Sequence, residues 1–155
     1  MFKKFTIIFV LLFATNHLFA QGLAYYPFNS VLSISTNPSS RVWLDCRIQT
    51  NTYFSSLSTE ISPMININNR SKARFYVGGG AKLNFLNYIT ATDSAKVQPL
   101  EGFFMNFGVR SAPFKKEPRV QIVFEISPYV NRQGDLGLMR TLFGIGYFFG
   151  KDKGR

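Results

Sequence analysis

The chain holds one histidine, one cysteine and only 17% charged residues in a length of 155. Each scarcity removes a class of chemistry. The histidine, His17, lies in an N-terminal stretch with the three regions of a secretory signal peptide: Lys3 and Lys4, the apolar run Phe5 to Ala14, and a short polar segment ending Leu18-Phe19-Ala20. That run is roughly half the length a membrane-crossing helix needs, so residues 1–20 are expected to be a signal peptide cleaved after Ala20. The expected mature chain then has no histidine, which excludes Ser-His and Cys-His nucleophile systems. Cys46 alone permits no intramolecular disulfide and no cysteine metal cluster. The alternation Val42-Leu44-Cys46-Ile48 places it on an apolar face as a small hydrophobe. There is no Walker-type loop, dinucleotide fingerprint or calcium loop, and Gly78-Gly79-Gly80 lacks the Lys-Ser/Thr that phosphate binding requires. Neither a cofactor nor a metal is expected, and no catalytic residue is assigned.

Acidic residues are also few. Without residues 1–20 the chain keeps 16 Lys+Arg against 8 Asp+Glu, a net charge of +8. The basic residues are spread through turns and one strand face instead of being gathered with exposed aromatics, so nucleic-acid binding is not expected. Lys115, Lys116, Lys151 and Lys153 are candidates to meet lipid phosphates. The remaining length suits one domain, residues 21–150, followed by a polar tail, 151–155.

What the chain has in plenty is period-2 alternation. Residues 41–50 put Val42, Leu44, Cys46 and Ile48 opposite Trp43, Asp45, Arg47 and Gln49. The same rule runs through residues 55–67, 72–86, 102–111, 119–130 and 136–149, and a seventh segment, 29–36, carries Val31, Leu32 and Ile34. No 3.6-residue period of helical length competes after residue 20. Turn chemistry separates the segments, and Asn87 to Pro99 is expected to be the most exposed loop. The glycine triplet suggests a bend or bulge. Pro63 and Pro128, each after Glu-Ile-Ser, suggest strand ends or bulges.

One face of the segments is apolar, and in 72–86, 102–111, 119–130 and 136–149 it carries phenylalanine. The other carries Asp45, Arg47, Glu60, Arg74, Lys82, Arg110, Glu125 and Arg140 among Gly, Ser and Asn. Two sheets fit this pattern. A soluble lipocalin-like barrel would turn Phe75, Phe107, Phe124 and Phe143 inward around an apolar ligand; a membrane barrel would turn them outward and pair the charges inside. The uniformly apolar, aromatic face favours the second. The expected fold is therefore all-β, an antiparallel up-and-down transmembrane β-barrel of 8 strands, with the eight charged residues forming a structural interior network. The eighth strand, drawn from residues 22–28, follows from closure rather than from periodicity. Parity places loop 87–99 on one side and the turn near Lys115 on the other, with both termini.

The run Gly144-Ile145-Gly146-Tyr147-Phe148-Phe149 resembles the closing-strand signal of small bacterial outer-membrane β-barrel proteins of the eight-stranded type. The resemblance implies outer-membrane localisation, contact with outer-membrane lipid, and insertion by the barrel-assembly machinery, with Gly144, Tyr147 and Phe149 as the membrane-insertion signal. Barrel enzymes of this kind use an active-site histidine, which residues 21–155 lack. The expected function is therefore non-enzymatic, a structural or surface-interaction role through the loops. The alternatives are a narrow passive pore and the soluble apolar-ligand carrier.

Overall fold

The computed structural model describes residues 21–49, 58–68, 73–84, 99–114 and 116–149. The expected signal peptide, Lys115, loop residues 87–98 and tail 151–155 lie outside them. Eight strands follow in order: β1 (Gly22–Tyr26), β2 (Val31–Ser35), β3 (Val42–Gln49), β4 (Ser58–Asn66), β5 (Ala73–Asn84), β6 (Leu100–Ser111), β7 (Val120–Asn131) and β8 (Gly137–Phe148). Each pairs antiparallel with the next, and β1 pairs with β8 through Gly22↔Phe148 to Tyr25↔Ile145, so the sheet closes into a barrel. All seven segments read from alternation are strands. The eighth is Gly22–Tyr26, and the turn at Pro27 ends it. There is no helix among the described residues.

Alternation becomes inside and outside once the sheet closes, and the polarity is the reverse of a soluble core. Among the described residues, thirteen buried polar or charged residues outnumber nine buried hydrophobic ones, and 23 large hydrophobics are exposed. Phe75, Phe107, Phe124 and Phe143 stand on the outer face at 51, 45, 41 and 42% exposure. Scattered exposed apolar residues are normal on a soluble protein; a continuous outer band of them around a charged interior is not.

Two expectations need correction. The glycine triplet carries no bulge: Gly78, Gly79 and Gly80 keep one register with β6, and the register shift lies later, between Lys82 and Leu83. The glycines also answer a close approach. A Cβ on Gly78 would lie 2.7 Å from the Pro63 carbonyl oxygen, and one on Gly80 would collide with that of Ile61. The prolines, too, lie inside strands. Pro63 faces Leu44 of β3 and Pro128 faces Met139 of β8. The ladders β4·β5 and β6·β7 skip two pairs, those of each proline and the serine before it, and resume in the same register, so the missing N–H interrupts one ladder without displacing it.

Strand parity divides the connections between two rims. Among the described residues, 36–41, 67–68, 112–114 and 116–119 lie at the rim that also holds Gln21 and Phe149, here called the termini rim; residues 27–30, 99 and 132–136 lie at the opposite, loop rim.

Candidate functional site: the charged lumen

Residues of alternate parity on β3, β5, β7 and β8 point into a space just wide enough for side chains. Arg47 fills its centre. Its Nε donates to Asp45 Oδ2 at 2.6 Å, and its two terminal nitrogens form a fork on Glu125 at 2.6 and 2.8 Å. Ser33 Oγ donates to Asp45 Oδ1 at 2.5 Å and the Tyr76 hydroxyl to Glu125 Oε2 at 2.9 Å. Acceptors around Asn106 fix its amide: the nitrogen donates to Ser127 Oγ at 2.8 Å, to the Met105 carbonyl at 3.0 Å and to Glu125 Oε1 at 3.2 Å. Arg47 and Glu125 are 2% and 0% exposed, so both charges are desolvated. Paired geometry with filled hydrogen-bond positions is the condition under which such a burial is tolerated.

Nearer the loop rim, Arg140 pairs with Glu60, donates to Ser127 Oγ at 2.9 Å and stands 5.4 Å from the Phe104 ring centroid. The two Glu-Ile-Ser-Pro segments of β4 and β7 thus meet across the lumen through one arginine. Lys82 pairs with Glu101 at 3.0 Å, to which Asn84 also donates at 2.9 Å. Toward the termini rim, the Arg110 guanidinium lies 4.4 Å from the Trp43 ring centroid and 5.0 Å from that of Tyr76, and donates to the Pro38 carbonyl at 3.4 Å. Arg74 donates to Ser39 Oγ at 2.5 Å.

All eight charged residues expected inside are on the inner-face parity, but their partners differ from expectation in two places. Lys82 is held by Glu101, not by Asp45, Glu60 or Glu125. Arg110 lies in no salt bridge among the described residues, and aromatic faces hold it instead. Glu101 escaped sequence reading because it is the extra residue of the Lys82/Leu83 register shift, which re-aims a side chain against the local parity. Tyr76 and Ser33 sat on polar faces but gave no sign of their partners, which come from 49 and 12 residues away.

Two spaces lie between the packed side chains of the described residues. One, of about 30 Å³, lies under Trp43 and Arg110 and has room for about one water. The other, of about 270 Å³, opens at the loop rim above Phe28 and Asn29, between Gln49, Ser58, Glu60 and Arg140. Met64, Asn106 and Glu125, all without solvent exposure, fill the lumen at mid-height. Among the described residues no group of three or more His, Cys, Asp or Glu side chains could hold a metal ion.

On the closing strand, Gly144 faces inward against Tyr26. A Cβ there would lie 2.6 Å from the Tyr25 carbonyl oxygen and 2.7 Å from the Tyr26 ring. Tyr147 and Phe149 face outward, their ring centroids 5.0 Å apart.

Fold and lumen together define a class: a closed, eight-stranded antiparallel β-barrel with a charged, filled interior and an apolar exterior. No protein family, curated protein or solved structure matches the chain.

Proposed function

We propose that the protein is a non-enzymatic outer-membrane β-barrel with a structural or surface-interaction role, exercised through its loop rim. The inverted polarity carries this reading: exposed Phe, Ile, Leu and Met side chains surround buried Arg, Asp and Glu, an arrangement that water penalises and lipid favours. Strands β5 to β8, of 12 residues each, reach the roughly 9–11 residues a tilted spanning strand needs, while β1 and β2 have five each. The expected signal peptide and the Gly144, Tyr147, Phe149 pattern accord with export and with insertion by a barrel-assembly machinery. Outer-membrane lipid is the partner of the apolar band, and nucleic acid is not a partner.

The carboxylates Asp45, Glu60 and Glu125 are held by arginines, so none is free to act as an acid or base. A passive pore is disfavoured by the filled mid-lumen, and a soluble carrier by the outward placement of its required phenylalanines. Fractionation of cells making the full-length chain, with boiled and unboiled samples compared on a detergent gel, tests the proposal. Recovery with the outer membrane and a heat-dependent mobility shift is expected. A soluble periplasmic species with no shift would overturn it.

A further inference from the structure

The basic residues look dispersed along the sequence, and closure of the barrel gathers them. Among the described residues the connections at the termini rim carry three basic residues, Arg41, Lys116 and Arg119, against Glu117 alone, a net +2. Those at the loop rim carry Arg132 against Asp135, a net of zero. All three cations of the termini rim are exposed. Each exposed cation also has an apolar neighbour in the outer band. Val42 follows Arg41, and Phe114 shares a turn with Lys116 and Arg119; both apolar residues are more than half exposed.

From this arrangement we infer that the termini rim is a docking surface for the phosphate headgroups of anionic lipid in the leaflet on its side. The inference rests on the membrane-barrel reading and adds a sidedness to it. Cations placed at the margin of an apolar band match the layering of a bilayer surface, where chains give way to phosphates within a few ångströms. A soluble polyanion would gain nothing from the apolar half of the pattern. The loop rim, without net charge, has no comparable attraction.

The test compares two lipids with the same chains. The full-length protein, extracted in a neutral detergent, is titrated with dioleoyl phosphatidylglycerol or dioleoyl phosphatidylcholine, and bound lipid is counted by native mass spectrometry. The apolar band contributes equally to both, so the difference reports the headgroup. Attraction of about fivefold per basic residue is expected, and about 1 M salt, with a screening length of roughly 3 Å, should remove it. The triple variant R41Q/K116Q/R119Q should lose most of the preference, while R132Q on the opposite rim should keep it. These exposed side chains make no lumen contact, so folding is checked in each variant by the heat-dependent mobility shift. Equal binding of both lipids by a heat-shifting protein would overturn the sidedness and leave the barrel standing. Loss of preference in R132Q rather than the triple variant would overturn it as well. Displacement of the lipid by millimolar inorganic phosphate would show a site for free phosphate and overturn the lipid assignment. Failure to bind either lipid, with no mobility shift, would take down the barrel reading itself.

Discussion

At the scale of single residues the protein depends on arginines buried in two different ways. Arg47 is held by two carboxylates at 2.6 Å, and its loss leaves Asp45 and Glu125 facing each other without a counter-charge. Replacing it by methionine, close in volume, should cost about 3–5 kcal/mol, measured as a lowered urea midpoint of the heat-shifting form. Arg110 orphans no paired carboxylate when removed, because it lies on Trp43 and Tyr76. Its replacement by methionine should cost no more than about 2 kcal/mol. If R110M is as damaging as R47M, Arg110 acts as the distant counter-charge of the Asp45-Arg47-Glu125 group, and the stacking account fails. The types and inward parity of these side chains were legible in the sequence, since strand geometry fixes which residues share a face. Which carboxylate meets which arginine was not, because Arg47 and Glu125 are 78 residues apart and meet only across the closed lumen.

At the scale of the element, β8 has two glycines that the sequence treats alike and the barrel does not. Gly144 and Gly146 share a strand and a face. A Cβ on Gly144 would press on backbone and ring atoms at 2.6 and 2.7 Å, whereas one on Gly146 would meet its nearest neighbours at 3.4 Å. Gly144→Ala should therefore destabilise the barrel by about 1–3 kcal/mol through overpacking at the seam, which has only four registered β1·β8 pairs, and Gly146→Ala should change the same urea midpoint little. Equal effects would mean that the Tyr26 ring moves aside freely and does not lock the seam. Strand boundaries were legible to within a few residues because alternation and turn chemistry end together. The register shift at Lys82/Leu83 was not, since nothing in the local sequence marks where β5 and β6 fall out of step.

At the scale of the whole molecule, the lumen is filled rather than open. Met64, Asn106 and Glu125 have no solvent exposure, so the full-length protein in a planar bilayer should show no conductance above background. Discrete ion steps would mean that the mid-lumen side chains part readily and would revive the pore reading. By itself the sequence determined the all-β class, the strand positions and the identity of the two faces, because each follows from backbone geometry within a dozen residues. Tertiary structure alone decided which ions pair, where the Lys82/Leu83 shift sends Glu101, and that Arg41, Lys116 and Arg119, from turns far apart in the chain, reach one rim. These are properties of closure: hydrogen-bonding β1 to β8 brings distant residues to opposite walls of one narrow space and sorts every connection to one end or the other.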